Sequence, residues 1–195
     1  MTQVENRSAN LLVTYEATPN PNSMKFNIGK MVASDSIYFD DPTKTARSPL
    51  AEKLFGFAWV QAVLVGPNFV TITKQSWVEW QRLAEPLSEL IAEHIERGEG
   101  ILVELQATPK AGPNDLTPED SIEVARIKEI LNNEIRPAVA VDGGDVLFDR
   151  YENNRLYIQM MGACSGCPSS TITLKQGIEA RIKKALPEVI EVISV

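Results

Sequence analysis

Cysteine is scarce in this chain of 195 residues: Cys164 and Cys167 are the only two, and His94 is the only histidine. Two cysteines three positions apart do not make a secreted disulfide framework; a reducing compartment is the simpler setting. Basic excess is also missing. A net charge of −7 and a pI near 4.9 argue against sequence-independent binding to nucleic acid, which needs a cationic surface. No window approaches the roughly 18 uninterrupted apolar residues of a membrane span. The opening MTQVENRSANLL lacks a basic region followed by an apolar one, and it is not the Arg-rich, acid-poor pattern of a transit peptide. These absences set the expectation: a cytoplasmic protein with no nucleic-acid or membrane partner.

What is present is ordinary for a globular protein, with 44% hydrophobic and 23% charged residues. The length suits one large or two small domains. Residues 1–10 are polar and expected to be disordered. A strand is expected over Leu11–Ala17, then the turn Thr18-Pro19-Asn20-Pro21-Asn22, then a returning strand with Met24, Phe26 and Ile28 on one face. Ser48-Pro49 reads as N-cap and first residue of a short helix. Gly66-Pro67-Asn68 joins two β-rich runs, and Ser76 could cap a long helix to Gly98, kinked at Pro86. Residues 11–97 therefore form one expected domain.

Residues 98–117 are rich in glycine and proline and read as a linker, though Ile101–Leu105 could dock. Thr117-Pro118 then reads as a helix start that Pro137 should stop. Asp142-Gly143-Gly144-Asp145 is a turn signal. Residues 146–151 and 155–161 flank Glu152-Asn153-Asn154 as a hairpin; an amphipathic helix and a last strand, Val189–Val195, follow. The fold class expected is mixed α/β (α+β) in two small domains. The second, 118–195, runs α-β-β-α-β, with its C-x-x-C loop at a helix N-terminus.

The chemistry concentrates in Gly162-Ala163-Cys164-Ser165-Gly166-Cys167-Pro168. Small intervening residues let the backbone turn so that two thiols face one centre. Pro168 suits the first helical position, and the helix terminus favours thiolate at Cys167. Four readings compete: buried structural thiols, a thiol–disulfide redox pair, a zinc site, and an iron–sulfur cluster. Zinc and cluster both want four ligands, and one chain offers two thiols and a distant histidine. Two ligands per chain imply a centre shared by a homodimer, or one completed by a partner. A centre so held would be easy to release, which suits a carrier.

Other residues read as structural. Asp142 and Asp145 suit turn and strand-entry roles, His94 a surface position, and Trp77 and Trp80 core or edge packing. Lys175, Arg181, Lys183 and Lys184 read as a solvated helix face. For Asn20, Asn22 and Lys25 turn chemistry is account enough.

The segments DGGD (142–145), GACSGCPSS (162–170), TLKQGIEARI (173–182) and PEVIEV (187–192) resemble the NifU-like C-terminal domain of the Nfu iron–sulfur carriers. TPNPNSMKF (18–26) and SPLAEKLF (48–55) resemble the Nfu N-terminal domain. The resemblance implies a non-enzymatic scaffold that binds iron as a [4Fe–4S] cluster, or a [2Fe–2S] cluster, between two chains. Cys164 and Cys167 would be the ligands. The partners it implies are an upstream assembly scaffold and apo-protein acceptors. Without a visible transit peptide, the form looks bacterial and cytosolic. A thiol–disulfide oxidoreductase using the same pair is the alternative.

Overall fold

The computed structural model describes residues 13–103, 112–165 and 168–195, excepting the side chains of 168–171. The expected disorder of residues 1–10 and the middle of the expected linker lie outside these residues, and so does Cys167.

Five strands form the first sheet: β1 (Val13–Ala17), β2 (Ser23–Ile28), β3 (Ile37–Phe39), β4 (Val60–Val65) and β5 (Phe69–Lys74), in the order β1-β2-β5-β4-β3 with every pair antiparallel. Period-two alternation puts Phe26, Ile28, Val63, Val65, Val70 and Ile72 on one face. That face packs on α1 (Pro49–Phe55) and α2 (Ala84–Glu96) through Leu50, Leu54, Leu87 and Ile91. Each such side chain contributes about 1.5–3 kcal/mol on burial. Ser48 caps α1, accepting from Ala51 N–H at 3.0 Å, and donates its own hydroxyl to Ile101 O at 2.7 Å. Ile101 thereby docks in the first core.

Three expectations change here. Helix α2 begins at Ala84, after a 3-10 turn at Trp80–Arg82, rather than at Ser76. Pro86 therefore falls in the first turn, where a missing N–H breaks no ladder bond. Trp77 is exposed instead of packed, whereas Trp80 is half-buried beside Lys74 and donates to Pro21 O. His94 is buried, not on the surface: Nδ1 lies 2.9 Å from the Glu99 carboxylate and Nε2 3.4 Å from Gly100 O.

The second half contains α3 (Ile122–Ile130), a wide π turn (Leu131–Ile135), α4 (Arg136–Val141), β6 (Gly144–Glu152), β7 (Arg155–Gly162), α5 (Pro168–Ala185) and β8 (Glu191–Ser194). β7 pairs antiparallel with β6 and parallel with β8. Ile127, Leu131, Val146, Leu156, Ile158, Ile178, Ile182 and Val192 make its core. Asn153 and Asn154 both take positive φ, 50° and 59°, as a two-residue hairpin loop demands of its centre. Glu179 of α5 ties the helix to β8 by accepting from Val192 N–H at 3.1 Å, and also accepts from Lys183 at 2.6 Å.

The helical entry differs from expectation. Ser121, not Thr117, caps α3 by accepting from Val124 N–H, while Thr117–Asp120 forms the preceding turn. Pro137 does not stop the helix. The chain widens by one residue so that Arg136 N–H reaches back to Leu131 O, and Pro137 enters the first turn of α4, where its lost donor costs little.

Residues 112–117 do more than tether. The side-chain amide of Asn114 lies along β6 like one more peptide group: Phe148 N–H donates to its Oδ1 at 2.5 Å, and its Nδ2 donates to Val146 O at 3.0 Å. Asn132 clamps Asn114 O from the π turn at 2.9 Å.

Candidate functional site

The first sheet has a second covered face. Glu16, Lys25, Thr71, Leu64 and Tyr38 are successive cross-strand partners on β1, β2, β5, β4 and β3, so they form one lateral row. That row lies against the segment carrying the cysteines. Lys25 Nζ bonds Glu16 at 3.0 Å and donates to Val141 O at 3.1 Å. A Cβ at Gly143 would meet Thr71 Oγ1 at 2.8 Å, and one at Gly162 would meet Leu64 at 2.6 Å. Both glycines hold positive φ, 75° and 62°, which favours glycine in any case. Tyr38 OH lies 3.4 Å from Ser165 Oγ.

β7 ends at Gly162 and α5 starts at Pro168, so the cysteine loop is suspended between a strand end and a helix start. Ala163 N–H donates to Gly143 O at 3.1 Å, and Ser165 N–H to Gly162 O at 3.1 Å, which makes a tight turn around Cys164. Pro168 opens the helix as the sequence implied. Cys164 is only 5% exposed, with its sulfur in the space left by the missing side chain of Gly144. Burial, with lesser contributions from the negative charges of Asp142 and Asp145, pushes its thiol from an ordinary value of 9.0 up to about 12. Cys164 therefore rests as the neutral thiol; the thiolate is expected at Cys167. Cys167 lies outside the described residues.

Asp145 does more than enter the strand. It is buried and accepts from Nε and Nη2 of Arg136, each at 2.8 Å, while Asp142 is exposed. Arg136 also pairs with Asp35, in the first half of the chain. This two-carboxylate grip, Asp145 foremost, raises the guanidinium's pKa still further. Arg136 carried no local signal in the sequence.

Asn20 is the larger surprise. Turn chemistry accounts for only half of it: Oδ1 accepts from Asn22 N–H at 3.0 Å, but Nδ2 donates to Ser165 O at 2.8 Å, across 145 positions. An asparagine between two prolines was the only available hint. Lys175, Arg181 and Lys183 each meet a carboxylate, Glu191, Glu134 and Glu179 respectively. Among the described residues, no group of three or more His, Cys, Asp and Glu is placed to hold a metal, and no helix is long and apolar enough to cross a membrane.

Comparison with known proteins bears on both halves. Residues 13–98 match the family described as scaffold protein Nfu/NifU N terminal, and residues 127–193 match the NifU-like domain. A human protein named NFU1 iron-sulfur cluster scaffold homolog, mitochondrial, is 38% identical over 181 residues, which cover 92% of this chain and 70% of that protein. Its namesake in Drosophila persimilis is 39% identical over 181 residues, covering 92% of this chain and 63% of that protein. The solution NMR structure of a NifU-like protein from Saccharomyces cerevisiae aligns with a TM-score of 0.45 at 24% identity, over 54% of this chain and 96% of that one. The chain thus spans about two thirds of the length of the two NFU1 relatives. The cytoplasmic expectation is corrected by these names: relatives in human and fly are mitochondrial, which points there instead. The relatives are named as scaffolds, not as enzymes. With both halves matched, the chain belongs to the Nfu/NifU family of iron–sulfur cluster scaffold proteins.

Proposed function

We propose that this chain binds a [4Fe–4S] cluster between two copies, through Cys164 and Cys167 of each, and passes it to apo-proteins without itself catalysing a reaction. Residues 11–97 and 118–195 are the two domains of that carrier, joined by 98–117. The observation that carries the reading is the donor count. Each chain carries two cysteines in the sequence between the end of β7 and the start of α5, and two copies supply the four thiolates such a cluster takes. Family membership supports it, and the names of the relatives supply the cargo.

The cluster is cargo, and the chain's own residues set how it is taken up and let go. Loading displaces the proton from Cys164, whose burial otherwise keeps the thiol neutral. Arg136 and Asp145 fix the start of β6. Delivery is ligand exchange without redox change. Each iron–sulfur bond to a cysteine of this chain breaks as one to an acceptor thiolate forms, and the proton lost by the acceptor thiol returns to the departing cysteine. The raised pKa of Cys164 favours that return and disfavours a role as a redox nucleophile in the metal-free chain.

The test is anaerobic reconstitution with iron and sulfide, followed by absorption spectroscopy and native mass. A brown dimer with about four irons per two chains, abolished by Cys164→Ala or Cys167→Ala, is expected. About two irons per dimer would assign the [2Fe–2S] form. A colourless zinc-binding chain, or a metal-free monomer that reduces disulfides, would overturn the reading.

A further inference from the structure

The first sheet is covered on both sides by quite different partners. One face is a conventional apolar core. The other, the row from Lys25 to Tyr38, meets the backbone at both ends of the turn that holds Cys164. Thr71 and Leu64 close on Gly143 and Gly162 at its base; Asn20 and Tyr38 hold the carbonyl and hydroxyl of Ser165 at its far end. Outside the loop, Asp35 pairs with Arg136 across the same seam.

We propose that this second face is a clasp on the cysteine loop, closed in the metal-free chain, which must release Ser165 before two copies can share one cluster. Three features support release rather than permanent support. Cys164 is 5% exposed, so its sulfur cannot meet a centre shared with a second copy unless the turn moves. The turn cannot move while Ser165 stays bonded to Asn20 and Tyr38. The seam is also imperfect: Thr71 Oγ1 is fully buried with no hydrogen-bond partner among the described residues, and the Tyr38 bond is long at 3.4 Å. A buried hydroxyl left unpaired in the closed state recovers water when the seam opens, which weights the equilibrium toward opening. The clasp thus gives the N-terminal half a function of its own, guarding the loop.

Only the final step, cluster sharing, rests on the carrier reading; the clasp itself is tested without metal. In the full-length Cys167→Ser chain, iodoacetamide modification of Cys164 reports loop release. Asn20→Ala with Tyr38→Phe should raise that rate about tenfold, the effect of removing two net hydrogen bonds. Asp35→Asn, at a half-exposed position, should raise it about two- to fivefold and decides the matter if the double variant does not fold. Glu93→Gln, on the exposed face of α2, should leave it unchanged. Unchanged rates in both seam variants with thermal transitions intact would overturn the clasp, and so would an equal rise in Glu93→Gln. With Cys167 restored, the seam variants should load cluster faster than the parent. If no variant takes up iron and sulfide, the carrier reading fails while the alkylation result still decides the clasp.

Discussion

Gly144 lies directly beneath the sulfur of Cys164: a methyl carbon at residue 144 would sit 2.0 Å from Sγ and 3.1 Å from the cysteine Cβ. The glycine is the floor of the pocket that hides the thiol. Gly144→Ala must push the sulfur out or the two strands apart, at a cost of about 1–3 kcal/mol. Urea unfolding should show that loss, and alkylation of Cys164 should become faster. A variant with wild-type stability and a hidden thiol would mean that the pocket is not where the sulfur sits.

Arg136→Met should be among the most destabilising single changes in this fold. It leaves the Asp145 carboxylate buried without its two guanidinium bonds, and breaking a buried pair from one side typically costs about 3–5 kcal/mol. Adding Asp145→Asn should restore part of the loss, because it removes the stranded charge. Equilibrium denaturation of the two single variants and the double variant measures this directly.

Asn114→Ala removes two bonds to β6 and leaves Val146 O and Phe148 N–H without their side-chain partner. A loss of about 1–3 kcal/mol is expected, with iron uptake retained because neither cysteine takes part in the contact. Denaturation together with iron content after reconstitution checks both parts.

Much of the fold could be read from local rules. β2, the 65–69 hairpin and the 152–155 hairpin announce themselves through alternation and turn residues, and the C-x-x-C loop through its composition. The seam could not be read this way. In β2 and β5 both faces are buried, so Lys25 and Thr71 look like solvent-facing residues in an alternating pattern although each is covered by the other half of the chain. Asn20 offered a complete local explanation as a turn residue, and nothing local points to a partner 145 positions away. Thr117 and Ser121 are both good caps with acidic residues after them. The choice fell to Ser121 because Asp120, drawn to Lys128 at 2.9 Å and to Thr117 N–H, belongs to the turn before the helix.

Acid should loosen the join between α5 and β8. The Glu179 carboxylate, hydrogen-bonded by Lys183 and by Val192 N–H, is held below its ordinary value of 4.5. A carboxyl with a lowered folded pKa adds stability that is present above the unfolded value and fades as pH falls through the folded one. Thermal midpoints of wild type and Glu179→Gln should therefore differ at neutral pH and converge in acid below 4.5. A gap that persists in acid would mean that the carboxylate charge is not the stabilising element.

The π turn at Leu131–Ile135 has a consequence in angle. One residue is about 100° of rotation around a helix axis. Removing a single residue from that turn would restore a regular ladder and carry Arg136 about a quarter of the way around the axis. The guanidinium would then face away from Asp145 and Asp35 together. The surplus residue therefore acts as a rotational spacer: it aims one cation at two carboxylates, Asp145 on β6 and Asp35 in the bend before β3.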